Sequence, residues 1–201
     1  MNKGLLFVVS APAGCGKDTI LEQLFKVTEN VGYSVSATSR APREGEVDGV
    51  HYHFRTREQF KQMIDGGEVL EYTEYCGNFY GTPRKAVEDM LNDGRDVILK
   101  IEVEGAMNIR RMFPECCLVF ILPPSMQELE RRLRKRGTET EEKINERTAQ
   151  AREELRFAEN YDYLIVNGEL SKAVDDLKAV IAAEKLRKAR CMPLLDALRA
   201  E

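Results

Sequence analysis

The sequence predicts an α/β fold, built on a doubly wound, mostly parallel five-stranded sheet with a small mixed α/β insertion. Short apolar runs of strand length alternate with longer segments of helical periodicity, the order that parallel sheets require. Residues 55–81 break this alternation. The first apolar run ends in a glycine-rich turn, and ligands of such sheets bind beyond the carboxyl ends of the strands.

Five apolar runs are predicted to form the strands of the main sheet: Leu5–Val9, Ser34–Ala37, Val97–Ile101, Leu118–Leu122 and Tyr163–Val166. Six segments have helical periodicity: Thr19–Thr28, Pro83–Asn92, Ala106–Met112, Met126–Lys135, Glu141–Glu159 and Leu170–Arg190. The insertion is predicted to contain a helix and a hairpin: Arg57–Asp65, then Glu68–Tyr75 and Asn78–Tyr80. This insertion and the glycine break at Arg136–Glu139 are candidate lids, which would exclude water during a reaction.

Composition narrows the functional class. The 201 residues fit one domain, or one domain with an insertion. A formal net charge of -4 argues against nucleic-acid binding, which needs a basic excess. No apolar run approaches the roughly 20 residues that span a bilayer. Five cysteines without C-x-x-C spacing, and no recognisable export signal, predict a reduced cytoplasmic protein.

The turn after the first strand has the composition of a phosphate-binding loop. Glycines let successive backbone N–H groups point at an anion, and the following helix presents its positive end. The consensus G-x-x-x-x-G-K-[ST] is met by Gly16 and Lys17, whereas Ala11 holds the first glycine position and Asp18 replaces the hydroxyl residue. An ordinary strand–turn–helix with a surface lysine is the alternative.

Three further clusters suggest phosphate or base binding, and each has a plainer alternative. Arg40 and Arg43 lie in one loop and could grip a phosphate from two sides, or be neutralised by the loop's acidic residues. Glu71 lies within an apolar strand, where a carboxylate needs partners such as the two adjacent N–H donors of guanine; it could equally face water. The last cluster contains the arginines that could stabilise a transferring phosphoryl group or form a solvated helix face: Arg132, Arg136 and Arg147.

Taken together, these segments resemble the guanylate kinase family. Residues 34–49 are similar to its signature S-x-S-x-T-[TS]-R-x-P-R-x-G-E-x-x-G, and residues 71–82 to its guanine-binding insertion. Residues 136–139 and 166–167 match its ATP lid and adenine-side loop. The resemblance covers Gly4 to about Arg190. It implies a P-loop core at 1–34 and 83–201 with a lid at about 125–160, and a GMP-binding insertion at 35–82.

The resemblance also implies residue roles. The guanine base would be bound by Ser36, Glu71 and Thr82, and the GMP phosphate by Arg40, Arg43, Tyr52 and Tyr80. Glu102 matches an acidic position near the metal and GMP. The ATP phosphates would be held by the loop Ala11, Pro12, Ala13, Gly14, Cys15, Gly16, Lys17, Asp18 and Thr19. Lys17, Arg132, Arg136 and Arg147 would act on the transferring group, with Asn167 near the adenine.

Three residues depart from the family pattern. Ala11 replaces a glycine, and Lys100 stands where many members have aspartate. Asp18 is the most consequential, because a carboxylate repels ATP phosphates but is also a good ligand for Mg²⁺. Thr19 could supply a hydroxyl instead.

The sequence therefore predicts an ATP:GMP phosphotransferase that uses Mg²⁺, with GMP and ATP as partners and no nucleic acid or membrane. It is expected to be a monomer or homodimer in the cytoplasm. The alternative is a non-catalytic guanylate-kinase-like module that binds phosphorylated peptides through Arg40 and Arg43.

Overall fold

The computed structural model describes residues 3–75, 77–135 and 140–200. It confirms the predicted α/β class. The strands are β1 (Leu6–Ser10), β2 (Val31–Tyr33), β3 (Ala37–Thr38), β4 (His53–Phe54), β5 (Val69–Tyr75), β6 (Asn78–Pro83), β7 (Asp96–Lys100), β8 (Cys117–Leu122) and β9 (Tyr163–Val166). The helices are α1 (Lys17–Val27), α2 (Arg57–Asp65), α3 (Arg84–Asn92), α4 (Val103–Met112), α5 (Met126–Lys135), α6 (Glu141–Leu155), α7 (Leu170–Lys185) and α8 (Lys188–Ala200), with a 3₁₀ helix at Arg156–Asn160.

The main sheet has five strands in the order β2-β7-β1-β8-β9. β2 pairs with β7, and β8 with β9, in parallel register. β1 is buried along its whole length and β8 over its first five residues. Apolar strands of this kind are typical of parallel sheets covered on both faces.

The chain divides into two compact units. The first contains residues 3–8 and 30–116, and the second contains residues 9–29 and 117–200. The first unit holds a second sheet in the order β4-β3-β6-β5, in which β3 pairs with β4 in parallel and with β6 in antiparallel register. The second unit holds the glycine-rich turn and helices α1 and α5 to α8.

The small sheet of the first unit has its own apolar core. Phe60 of α2 stacks on Phe79 of β6 at 5.3 Å between ring centroids, and Ala37 and Val69 complete the cluster. Thr56 and Gln59 cap the start of α2 reciprocally through their side chains, which satisfies two of its free N–H groups. The small sheet and α2 thus form a packed layer that can hold side chains in fixed positions.

The second unit packs α1 against α7. α1 buries Ile20, Leu21 and Leu24, and α7 buries apolar residues at matching helical intervals. The spacing of these residues, three or four apart, places each set on one face of its helix. This packing fixes the helix whose first turn adjoins the glycine-rich turn.

One predicted strand is wrong. Ser34–Ala37 was predicted as a strand of the main sheet, but that strand is β2, and Ala37 begins β3 of the small sheet. β2 pairs Tyr33 with Ile98 and its residues are only half-buried. It lies at the edge of the sheet, where a strand needs no buried apolar run.

In the small sheet, β6 runs to Pro83, beyond the predicted Tyr80, and β4 was not predicted. Several helix ends also differ. The predicted helix Leu170–Arg190 stops at Lys185, because the backbone turns at the exposed Leu186, and a separate α8 follows. The predicted Glu141–Glu159 continues beyond Leu155 only as a 3₁₀ helix, and α4 starts three residues before the predicted Ala106. Over the part of the chain that the structure describes, no helix combines the length and apolarity needed to cross a membrane.

Candidate active site

The glycine-rich turn between β1 and α1 requires glycine at two positions. Gly14 and Gly16 have φ values of +90° and +84°, which side chains rarely tolerate. A Cβ at Gly16 would lie 2.5 Å from Asn167 Nδ2, and one at Gly14 would lie 2.9 Å from Leu133 Cδ2. Both backbone conformation and close packing therefore fix the shape of the turn.

Asn167 braces this turn from the loop after β9. Its Nδ2 donates a buried hydrogen bond of 2.7 Å to the backbone oxygen of Cys15. Arg132 of α5 donates in turn to the backbone oxygen of Asn167 at 2.9 Å. The predicted arginine and asparagine thus meet in one chain of hydrogen bonds beside the turn, whereas proximity of Asn167 to adenine stays a prediction.

Cys15 is a structural member of the turn. Its side chain is fully buried, and burial raises the pKa of its thiol to about 12. A thiol needs its thiolate form to act as a nucleophile. The loop therefore offers its backbone, and not a reactive sulfur, to a ligand.

The first turn of α1 follows directly. Gly16 is the N-cap of α1 and, as a glycine, supplies no side-chain hydrogen bond to the first turn. Lys17 is half-buried, and Asp18 and Thr19 are exposed. A helix start with a lysine beside it is suited to an anion. Ala11 and Pro12 are buried, and Ala13 is exposed.

The predicted arginines are placed differently from one another. Arg132 donates to Glu128 Oε1 at 2.8 Å, and hydrogen bonds from Arg131 and Arg132 lower the pKa of Glu128 to about 2. Arg147 is half-buried on α6. Arg136 lies outside the described residues.

In the first unit, Glu71 and Thr82 form a buried pair. Thr82 Oγ1 donates to Glu71 Oε1 at 2.7 Å. The pair sits at an irregularity of the β5–β6 hairpin, where Val69 is opposite Pro83 and Tyr72 is opposite Gly81. Two residues of β5 therefore face Thr82 alone, as in a β-bulge, a feature that re-aims side chains beside functional sites.

Glu71 is only 6% exposed. Burial raises its pKa, the hydrogen bond from Thr82 opposes this, and the negative charge of Glu102 adds to it. A Cβ at Gly105 would approach Glu71 Oε2 to 2.8 Å, so the glycine makes room for the carboxylate. Such a group is a strong acceptor for a ligand that brings N–H donors. Glu102 itself is exposed at the start of α4.

Arg40 is held within its loop. Its guanidinium donates to both oxygens of Glu46, at 2.8 and 2.9 Å, and this fork lowers the pKa of Glu46 to about 2. The same carboxylate accepts from the backbone N–H of Arg43, whose side chain is exposed. Arg40 is thus neutralised by an acidic neighbour, Glu46, as the plainer alternative for this loop predicts.

Aromatic rings surround Arg40. Its guanidinium carbon lies 5.5 Å from the Tyr52 ring centroid, and the rings of Tyr52 and Tyr80 lie 6.0 Å apart, edge to face. Burial raises the pKa of Tyr52, so its hydroxyl stays a donor at neutral pH. Ser36 is half-buried immediately before β3, and its carbonyl accepts from His53 N–H at 2.8 Å.

A cavity of about 630 Å³ lies between β5 and α4 of the first unit. Glu71 lines it, but Ser36, Tyr80 and Thr82 do not. It therefore shares only one residue with the predicted guanine set.

Comparison with known proteins agrees with this arrangement. A family model described as guanylate kinase matches residues 3–184. The chain is 50% identical to the guanylate kinase of Desulfitobacterium hafniense over 189 residues, which is 94% of each chain. It is 52% identical to that of Halalkalibacterium halodurans, covering 94% of this chain and 93% of the relative.

The chain belongs to the guanylate kinase family. A crystal structure of guanylate kinase from Anaplasma phagocytophilum has a similar fold, with a TM-score of 0.77 and 36% identity over 94% of this chain and 90% of that one.

Sequence reasoning did not connect two residues at strand ends of the main sheet. Tyr33 was not singled out, and Lys100 was considered only as a departure from the family pattern. Their side chains meet, with Lys100 Nζ 5.9 Å from the Tyr33 ring centroid. Both residues end strands of the main sheet, so their positions at strand ends were the available signal.

Proposed function

We propose that this chain transfers the γ-phosphoryl group of ATP to GMP, giving ADP and GDP. The observation that carries the proposal is the buried Glu71–Thr82 pair in a chain of the guanylate kinase family. A buried carboxylate at 6% exposure is costly to maintain without ligand donors. The N1–H and N2 amine of guanine supply two adjacent donors, and adenine lacks both.

Recognition of GMP is assigned to the predicted insertion, residues 35–82. Glu71, Thr82 and Ser36 would bind the base, with Glu102 nearby. Arg40, Arg43, Tyr52 and Tyr80 would bind the phosphate. Two hydrogen bonds to Glu46 hold the Arg40 guanidinium in place within this loop, beside the Tyr52 ring.

Binding of ATP is assigned to the glycine-rich turn and to neighbouring residues of the predicted core, which comprises residues 1–34 and 83–201. Backbone amides of residues 11–19 and the Lys17 ammonium would hold its phosphates. Arg132, Arg136 and Arg147 would stabilise the charge on the transferring group. Catalysis of this type consists of positioning and charge stabilisation, with little covalent chemistry for side chains to perform.

Mg²⁺ is the proposed cofactor. No group of three or more His, Cys, Asp or Glu side chains suited to a metal occurs in residues 3–75, 77–135 and 140–200. An exposed Asp18 in the first turn of α1 nevertheless fits an ion that takes one protein oxygen, with phosphates and water completing its shell. Asp18, or Thr19 through its hydroxyl, would hold the ion, which would neutralise phosphate charge.

The proposed setting is the cytoplasm, with GMP and ATP as partners and a monomer or homodimer as the assembly. The odd number of cysteines and the lack of C-x-x-C spacing support a reducing compartment.

A coupled assay of ADP release tests the function directly. ATP and Mg²⁺ are supplied with GMP, AMP, UMP or dTMP as acceptor. Selective turnover of GMP is expected. No turnover with any acceptor would refute the proposal and favour the scaffold alternative, and equal turnover of AMP would refute the assignment of Glu71.

A further inference from the structure

Lys100 and Tyr33 bring a cation to the end of the main sheet in the first unit. Tyr33 is the last residue of β2 and pairs with Ile98, two residues before Lys100, which ends β7. Residues two apart on a strand point to the same face. Lys100 Nζ accordingly lies 5.9 Å from the Tyr33 ring centroid, within the range of a cation–π contact.

The positive charge of Lys100 also acts on Tyr52, one of the tyrosines assigned to the acceptor phosphate. Burial raises the pKa of Tyr52, and the positive charge of Lys100 opposes that rise. Tyr33 and Tyr80 also act on Tyr52 electrostatically, and the rings of Tyr52 and Tyr80 are 6.0 Å apart. The contacts of Lys100 with Tyr33 and of Tyr52 with Tyr80 thus form two pairs of half-buried residues, and the charge of Lys100 acts from one pair on the other.

The charges in the loop of Arg40 and Glu46 can be compared with the charge of a bound phosphate. A phosphate monoester carries about 1.5 to 2 negative charges at neutral pH. Arg40 is forked on Glu46, so much of its charge is already balanced within the loop. Arg43 of the same loop, with its exposed side chain, is the second cation assigned to this dianion, and Lys100 would add a third positive charge.

We propose that Lys100 is a further binding residue for the phosphate of the acceptor nucleotide, positioned by Tyr33. The inference rests on the proposed function, since it takes a nucleoside monophosphate to occupy the first unit. It concerns a residue at which this chain departs from the family pattern.

Binding of GMP and of guanosine, measured by titration calorimetry, separates a phosphate contact from a structural one. Lys100→Gln should weaken GMP binding about ten-fold, the usual effect of losing one charge-assisted hydrogen bond. It should leave guanosine binding unchanged. Lys100→Arg should recover most of the GMP affinity. Lys85→Gln is the matched control, because Lys85 is an exposed lysine on α3, 89% exposed at its side chain.

Wild-type affinity for GMP in Lys100→Gln would overturn the inference. Equal weakening of GMP and guanosine would also overturn it, because the loss would then come from altered structure. A wild-type chain that binds neither ligand would overturn the proposed function, and this inference with it. The wild-type measurement therefore separates the two failures.

Discussion

Replacing Glu71 with glutamine should remove guanine recognition and leave the fold intact. The carboxylate is 6% exposed, and its Oε1 accepts from Thr82 at 2.7 Å. Glutamine has nearly the same volume, so no cavity forms. Its carbonyl oxygen can keep the hydrogen bond from Thr82, which turns its NH₂ group towards the donors of the base.

The size of the effect follows from the hydrogen bonds lost. Guanine would donate two bonds to the carboxylate, and a bond to a charged group contributes about 1.5–3 kcal/mol. Losing both removes about 3–6 kcal/mol. Because about 1.4 kcal/mol is a factor of ten, kcat/KM for GMP should fall roughly 10²- to 10⁴-fold.

The assay titrates GMP at saturating ATP and then ATP at fixed GMP, following ADP release. The KM for ATP should stay at its wild-type value, because no residue of the ATP set is changed. Glu74→Gln is the control on the same strand, since Glu74 is exposed and pairs with Arg57 at 2.7 Å; it should change kcat/KM by no more than about two-fold. An unchanged KM for GMP in Glu71→Gln would refute the role of this carboxylate.

Three further predictions concern stability. Burial raises the pKa of Glu71 above its ordinary 4.5, so wild-type stability in urea should fall as pH rises from 4.5 through the folded-state pKa, and Glu71→Gln should flatten that slope. Arg40 lowers the pKa of Glu46 from 4.5 to about 2, so the melting temperature of the wild type should fall as the pH falls from 4.5 to about 2. An equal fall in the melting temperature of Glu46→Gln would contradict this prediction. Asn167→Ala removes the donor to the buried Cys15 carbonyl. The free energy of unfolding in urea should fall by about 1–3 kcal/mol, and the KM for ATP should rise. An unchanged urea midpoint would argue against this role of Asn167.

The elements of the main sheet could be predicted wherever a strand carries its own apolar signal. β1 and β8 are buried apolar runs, and the sequence alone identifies them. β2 has three half-buried residues including Gly32, and its pairing depends on β7 more than on its own pattern. β3 and β4, two residues each, are too short for any periodicity to appear.

The need of Glu71 for partners could be predicted from the sequence, but the register that supplies Thr82 could not. That Glu71 would need partners followed from its apolar neighbours, and Thr82 is such a partner. The irregularity that gives two residues of β5 one partner on β6 depends on pairing across the hairpin, which no local pattern encodes. The contact of Lys100 with Tyr33 likewise arises because two distant strands end side by side.

The hydrogen bond between Asn167 and Cys15 joins residues 152 positions apart. During synthesis at roughly 5–20 residues per second, the glycine-rich turn would wait roughly 8–30 s for the residue that braces it. A nascent chain truncated before β9 would therefore carry the whole glycine-rich turn without the contact that fixes its shape.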